Sequence, residues 1–216
     1  MFEIIPSPGT DNKDWAAIER KIELTRPFAK TIHIDVVDGI YAPNTTFADP
    51  APFANLAKDF ILEVHLMVDE PVKQLKKWAD AGFRRFIGHI EKMSDQAEFV
   101  AEAELLGEVA LALDKQSSID DIKVPLDDLD ALLVMTIQAG FSGQKFEEEL
   151  LTKVKKLREK TALPIEVDGG INAETIQVAA AAGANRFVAT SFIFSHEDPM
   201  KQFRLLEGSL QLLSKT

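Results

Sequence analysis

The stretch TIHIDVVDG, residues 31–39, contains the pattern on which the fold prediction rests. Its first part, residues 31–36, is a short run rich in isoleucine and valine. Such a run indicates a β-strand that is buried on both faces. Seven further short apolar runs have the same character and occupy residues 2–6, 61–66, 85–89, 108–113, 131–135, 164–167 and 186–189.

Amphipathic stretches separate these runs. Phe146, Leu150, Val154 and Leu157 have helical spacing and predict a helix over residues 146–160. Further helices are predicted over residues 14–24, 71–81, 172–182 and 199–213, whereas residues 115–129 leave room for only a short one. Strands that alternate with helices pair in parallel through right-handed crossovers. We therefore predict an α/β fold, a single (β/α)8 TIM barrel over residues 1–216. Counting elements leaves a doubly wound sheet as the alternative.

Length and composition agree with a barrel enzyme. The 216 residues lie near the lower end for this fold, which starts at roughly 200 residues. No apolar run approaches the ~18 residues that cross a bilayer, and the first residues lack the basic and apolar regions of a signal peptide. We therefore expect a cytoplasmic protein with no membrane partner.

Charge and cysteine content limit the ligands. The formal net charge of −11 argues against nucleic acid as a partner. It does not argue against a small anion, because backbone amides can bind phosphate locally. The chain has no cysteine, so a metal would be held by histidine and carboxylate side chains. The sequence leaves open whether the protein is a homo-oligomer.

Polar residues lie at the ends of several predicted strands, where such barrels have their active sites. His33 and Asp35 are two residues apart, so their side chains point to the same face of a strand. Burying an unpaired carboxylate is unfavourable. One divalent metal ion (Zn, Fe, Mn or Co) held by His33, Asp35, His65 and Asp168 would compensate. The alternative is a His33–Asp35 ion pair that only stabilises the barrel.

Other polar residues also follow strands. Ser7 follows the first, and His89 and Glu91 follow the fourth. His89 and Glu91 either orient a ligand of the site or form a purely structural pair. His196, before the last helix, is interpreted as a capping or surface residue.

Three neighbouring loops predict a phosphate site. GFSGQ, residues 140–144, follows the sixth strand, and DGGIN, residues 168–172, follows the seventh. Glycine lets the backbone approach an anion closely, and barrels often bind phosphate near strands seven and eight. The candidate residues in these loops are Gly140, Phe141, Ser142, Gly143, Gly169, Gly170, Thr190 and Ser191.

The segments IHIDVVDGIYAPN, EVHLMV, VMTIQAGFSGQKF, IEVDGGIN and VATSFIF resemble those of the ribulose-phosphate 3-epimerase family, in the family's order. The resemblance runs over residues 4–194 and implies a (β/α)8 barrel, one divalent metal and a phosphorylated ketose as substrate. It implies that His33, Asp35, His65 and Asp168 hold the metal and that Asp35 and Asp168 are the acid and base. It also implies pocket roles for Ser7, Met67 and Met135, with ordinary core packing as the alternative for the two methionines.

The reaction implied is a metal-dependent interconversion of D-ribulose 5-phosphate and D-xylulose 5-phosphate through an enediolate, a step of the pentose phosphate pathway. Several residues around the predicted pocket depart from the family pattern. The departures are Val37, Ala139, Ser142 and Thr190, the opening PSPGTDNKDW at residues 6–15 and the turn DKQS at residues 114–117. Allulose-6-phosphate 3-epimerases resemble the chain in the Thr-Ser pair, so a six-carbon ketose phosphate is the alternative substrate.

Two further alternatives remain. A decarboxylase-type barrel would need a catalytic lysine, which HIDVVDG and VDGG lack. A phosphate-binding protein without catalysis would leave two carboxylates and two histidines unexplained, because unpaired buried ionisable groups are destabilising.

Overall fold

Eight parallel strands form the centre of the molecule, which confirms the predicted barrel. The computed structural model describes residues 2–10 and 13–213, so the ends of the predicted 1–216 domain lie outside the described residues. Ladders join the strands in chain order from β2 to β8, and β8 pairs with β1. The strands are β1 Glu3–Pro6, β2 Thr31–Val37, β3 Ile61–Met67, β4 Arg85–His89, β5 Glu108–Leu113, β6 Ala131–Met135, β7 Ile165–Asp168 and β8 Arg186–Ala189.

Helices connect most of the strands. They are α1 Trp15–Thr25, α2 Leu75–Asp80, α3 Gln96–Glu104, α4 Leu151–Lys160, α5 Thr175–Ala181, α6 Ser191–Phe194 and α7 Pro199–Leu213. Short 3-10 helices occur at Ala51–Leu56, between β2 and β3, and at Ile119–Asp121 and Leu126–Asp128, where the sequence predicted only a short helix. Within residues 2–10 and 13–213, no helix is long and apolar enough to cross a membrane.

Several helix boundaries differ from the prediction. The predicted helices 71–81 and 146–160 include 3-10 turns, Pro71–Gln74 and Glu148–Leu150, ahead of α2 and α4. Helix α5 starts at Thr175, and the Asn172 side chain ahead of it accepts the backbone N–H groups of Glu174 and Thr175. Helix α3 was not predicted. It starts after Asp95, whose carboxylate accepts two backbone N–H groups of the first turn.

Each strand turns one face to the helices and the other to the barrel interior. In β2, Ile32 and Ile34 belong to the apolar core under the helices. His33 and Asp35, between and after them, bond to residues of other strands inside the barrel. This alternation of period two brings polar side chains from different strands together.

The amino-terminal end of the barrel interior is filled by charged residues. Arg85 Nε lies 3.0 Å from Glu108, and an Arg85 Nη1 lies 3.2 Å from Glu3. Arg186 also lies within 3.3 Å of Glu3 and Glu108. These ion pairs occupy the end of the barrel interior opposite the carboxyl ends of the strands.

Candidate active site

Four predicted metal ligands meet inside the carboxyl end of the barrel. His33, Asp35, His65 and Asp168 are buried, and one ligand atom from each lies within 4.8 Å of the other three. His33 Nε2 and His65 Nδ1 each lie 3.0 Å from Asp35 Oδ1. His65 Nδ1 is also 3.5 Å from Asp168 Oδ2. Two imidazoles and two carboxylates that converge in this way form a donor set suited to a divalent metal.

Each of the two histidines has a partner on the ring nitrogen that faces away from the cluster. His33 Nδ1 lies 2.6 Å from Glu63 Oε1, and His65 Nε2 lies 2.8 Å from His89 Nε2. Metal-binding histidines are oriented by such second hydrogen bonds. The two rings therefore present one nitrogen to the cluster, which fits a metal site better than an isolated His33–Asp35 ion pair.

Glu166 lies on the far side of His33 from the cluster. Its Oε1 atom is 3.4 Å from His33 Nδ1. Burial, together with the negative charge of Glu63, raises the pKa of Glu166 to about 7. Glu63 and Glu166 precede His65 and Asp168 by two residues on β3 and β7, and they contact His33 without lining the mouth of the barrel.

Asp35 receives hydrogen bonds on both carboxylate oxygens. Ser7 Oγ donates to Asp35 Oδ2 over 2.8 Å, and Thr10 Oγ1 donates to the same atom over 2.5 Å. Burial would raise the pKa of Asp35, but His33 and His65 beside it hold that pKa well below its usual range. Ser7 was predicted as a site residue, whereas Thr10 was missed. The only signal for Thr10 was a hydroxyl in the loop after β1.

Thr10→Val is expected to destabilise the protein. The change keeps the shape of the side chain but removes the donor to Asp35, and hydrogen bonds to charged groups contribute about 1.5–3 kcal/mol. We expect the free energy of unfolding, measured with urea in the presence of a chelator, to fall by about 1–2 kcal/mol. Thr152→Val is the control, because that hydroxyl donates to the backbone oxygen of Glu149 at an exposed position. Equal values for the two variants would contradict the role of Thr10.

Asp168 differs from Asp35 in its surroundings. Its backbone oxygen accepts the N–H of Thr136 over 2.8 Å, which fixes the end of β7 against β6. Its side chain lines the open mouth, and the residue is 8% exposed against 2% for Asp35. The Asp35 carboxylate is thus held by several hydrogen-bond donors, whereas the Asp168 carboxylate is the more exposed of the two at the mouth.

The mouth of the barrel collects most of the predicted substrate residues. Thr10, Ile137, Ile171 and Val188, which were not predicted, also line it. Ser7, His33 and His65 lie beneath it and reach it through Asp35. The predicted residues that line the mouth are Asp35, Met67, Met135, Gly140, Phe141, Ser142, Gly143, Asp168, Gly169, Gly170, Thr190 and Ser191.

One wall of the mouth is apolar. Met67 and Met135 are buried and belong to one cluster with Val37 and Ile137. Val37, one of the departures named above, therefore packs beside the two methionines. The same cluster includes Ala110 and Ala112 of β5 and Ala131 of β6.

The glycine loops have backbone conformations that other residues rarely adopt. Gly169 and Gly170 have φ values of 115° and 67°, and a Cβ on Gly170 would lie 2.9 Å from the backbone nitrogen of Phe146. The loop after β6 is tied to the loop after β2, because Asn44 Nδ2 donates to the oxygen of Gly140 over 2.8 Å. These contacts hold the two glycine segments side by side at the mouth.

His89 and Glu91 form a buried network behind His65. His89 Nδ1 lies 2.9 Å from Glu91 Oε2 and 2.8 Å from the Tyr41 hydroxyl. Burial lowers the pKa of His89. Burial opposes ionisation of Glu91, but hydrogen bonds from His89, Ser117 and a backbone N–H lower its pKa to about 2. His196 is exposed and contacts a backbone oxygen, as the surface interpretation predicted.

The fold and the site define a (β/α)8-barrel enzyme with a buried histidine–carboxylate cluster beside glycine-rich loops. The model of the Ribulose-phosphate 3 epimerase family matches residues 9–194, and the chain belongs to this family. The ribulose-phosphate 3-epimerase of Bacillus subtilis (strain 168) is 34% identical, with 97% of this chain and 100% of the relative covered. That of Schizosaccharomyces pombe is 32% identical, with 94% and 92% covered.

Solved structures of other barrels share the fold. The 3-keto-L-gulonate-6-phosphate decarboxylase of Vibrio cholerae aligns with a TM-score of 0.70 at 14% identity, covering 97% of each chain. The phosphoribosyl anthranilate isomerase of Thermus thermophilus aligns with a TM-score of 0.66 at 13% identity, covering 98% of this chain and 99% of that one. At such identities the likeness concerns the fold alone. Among the described residues that line the mouth there is no lysine.

Proposed function

We propose that the protein interconverts D-ribulose 5-phosphate and D-xylulose 5-phosphate with the help of one divalent metal ion. The observation that carries the proposal is that Asp35 and Asp168 meet two histidines at the floor of a mouth lined by glycine loops. The relatives named ribulose-phosphate 3-epimerase, which cover almost the whole chain, support the same substrate.

His33, Asp35, His65 and Asp168 would hold the metal. Their nitrogen and oxygen donors suit zinc, iron, manganese or cobalt. The second hydrogen bonds of the two histidines support the assignment, because they leave the nitrogens that face the cluster available. When bound, the ion would act as a Lewis acid that stabilises negative charge developing on the substrate oxygens.

Asp35 and Asp168 would move the protons. Epimerisation at C3 removes a weakly acidic proton beside the C2 carbonyl from one face of the carbon and returns a proton to the other face. The two carboxylates come from strands that are not neighbours, β2 and β7, and both line the mouth. We assign one as base and the other as acid, with the roles exchanged in the reverse direction. Ser7 and Thr10 would keep Asp35 in place before the substrate binds.

The rest of the mouth would position the sugar phosphate. Met67 and Met135 would exclude water from the enediolate on the apolar side. The phosphate would bind at the glycine loops, where Gly169 and Gly170 allow close approach of the backbone, and beside Thr190 and Ser191. A fixed phosphate would keep C3 in register with the two carboxylates.

A six-carbon ketose phosphate such as D-allulose 6-phosphate is the second candidate substrate. Ser142 and Thr190, which depart from the family pattern, both line the mouth, and Val37 packs beside its methionines.

We propose that the protein is located in the cytoplasm. The relative from Oryza sativa, 34% identical over 95% of this chain, is named a cytoplasmic isoform.

Turnover of the two sugars by one preparation tests the proposal. Purified protein is assayed with D-ribulose 5-phosphate and with D-allulose 6-phosphate, after chelation and again after addition of each candidate metal. We expect the pentulose to have the higher kcat/KM, with activity lost on chelation and restored by metal. Preference for the hexulose would make the second candidate correct. A folded, metal-loaded protein inactive on both sugars would contradict the proposed function.

A further inference from the structure

We propose that His89 is a positioning residue that fixes His65 in the tautomer a metal requires, and that Glu91 in turn fixes His89. The inference rests on the proposed function, since it assumes a metal bound by His65. It extends the site by one chain of hydrogen bonds, His65–His89–Glu91, that runs from the cluster to the turn after β4.

The chain is continuous and buried. His65 Nε2 lies 2.8 Å from His89 Nε2, and the two imidazole rings are tilted by only 22° with their centroids 4.9 Å apart, so the two nitrogens meet end to end. On the other side of His89, Nδ1 lies 2.9 Å from Glu91 Oε2. Both histidines are fully buried, so water does not compete for these ring nitrogens.

The arrangement allows one direction of donation when a metal is present. His65 Nδ1 faces Asp35 and Asp168, so this nitrogen would bind the metal and carry no hydrogen. The proton of a neutral His65 is then on Nε2 and is donated to His89 Nε2. His89 must accept there, so its own proton is on Nδ1 and is donated to the Glu91 carboxylate. Two Nε2–H groups facing each other at 2.8 Å would repel.

Glu91 is held so that it can only accept from His89. Its other oxygen, Oε1, accepts the backbone N–H of Asp114 over 2.7 Å and also the hydroxyl of Ser117. A carboxylate has no proton to return to His89, so an ionised Glu91 favours the tautomer with the proton on Nδ1. Asp114 and Ser117 belong to the segment 114–117 that departs from the family pattern.

Tyr41 completes the network. Its hydroxyl lies 2.8 Å from His89 Nδ1, 3.3 Å from Glu91 Oε2 and 3.2 Å from Asp114 Oδ2. The hydroxyl has one hydrogen, which it can donate to either carboxylate while its oxygen faces the N–H of His89. Burial and the two carboxylates raise the pKa of Tyr41, so the hydroxyl stays protonated. The ring thus keeps His89 in place without reversing the direction of donation.

The test measures zinc affinity rather than turnover. His89→Leu removes the acceptor for His65, and we expect it to weaken zinc binding by about 10–100-fold in competition with a chromogenic chelator. His89→Gln retains one acceptor and one donor and should recover much of the loss. Glu91→Gln should weaken binding in the same direction and carries the test if His89→Leu does not fold. The control is His196→Gln, at an exposed histidine bonded to the backbone.

Nitrogen-15 NMR of the zinc-loaded protein separates positioning from simple packing. We expect the proton of His65 on Nε2 and that of His89 on Nδ1. Unchanged zinc affinity in the folded His89→Leu and Glu91→Gln variants, or a proton on His89 Nε2, would overturn the inference. If those results are found while the wild-type protein binds zinc and epimerises its substrate, only the proposed role of the His65–His89–Glu91 chain is wrong. If the folded wild-type protein binds no zinc, both the proposed metal site and the proposed role of the His65–His89–Glu91 chain are wrong.

Discussion

Asp168→Asn is expected to abolish epimerase turnover while the protein stays folded. The substitution keeps the shape of the side chain, and the bond from Thr136 to the backbone of residue 168 is unaffected. An amide cannot take a proton from C3 or return one, and loss of a general acid or base lowers the rate by about 10²–10⁴-fold. The measurement is kcat on D-ribulose 5-phosphate at saturating metal, since Asp168 is also an assigned ligand.

A matched control separates this effect from a general response to the loss of a carboxylate. Asp49→Asn alters an exposed carboxylate that accepts the backbone N–H of Ala51, a role that an amide oxygen can fill. We expect that variant to retain wild-type kcat. Near-normal turnover by folded Asp168→Asn would remove Asp168 from the acid–base pair and with it the proposed mechanism.

Gly169→Ala should have the largest effect on stability among the glycine loops. The residue has a φ of 115°, and an added Cβ would lie 2.4 Å from Ile137 Cγ1. Backbone strain and forced displacement of a packed side chain each have costs of about 1–3 kcal/mol. We therefore expect the free energy of unfolding, from urea titration, to fall by about 2–4 kcal/mol. KM should rise as well, because the loop is assigned to the phosphate.

Two further variants test the physical reason. Gly143→Ala has a φ of 73° but no atom within 4 Å of the added Cβ, so it should lose only about 1–2 kcal/mol. Adding Ile137→Ala to Gly169→Ala removes the clash, so the double variant should be more stable than the sum of the single losses predicts. Additive losses, or a Gly169→Ala protein as stable as Gly143→Ala, would show that the close approach to Ile137 does not matter.

The barrel and the cluster were predictable because both depend on local patterns. Buried parallel strands appear as short apolar runs, and the boundaries of β4, β5, β6 and β8 agree with the prediction. His33 and Asp35 were recognisable because their spacing of two places both side chains on one face of β2. Because active sites of such barrels lie at the carboxyl ends of the strands, His65 and Asp168 could be predicted to lie beside His33 and Asp35.

The parts that were missed depend on contacts distant in sequence. Thr10 joins the cluster through Asp35, 25 residues away, and Tyr41 reaches His89, 48 residues away, and Asp114, 73 residues away. No periodic pattern relates such positions. Helix starts were misplaced for a different reason, since 3-10 turns such as Pro71–Gln74 and Glu148–Leu150 occupy the first residues of the predicted helices.

The most direct test of the central claim is the conversion of D-ribulose 5-phosphate in deuterium oxide, followed by proton NMR. Proton transfer by two carboxylates predicts D-xylulose 5-phosphate with solvent deuterium at C3, formed by metal-loaded protein and lost on chelation. Xylulose 5-phosphate that retains the original C3 proton throughout, or no conversion by folded and metal-loaded protein, would contradict the account.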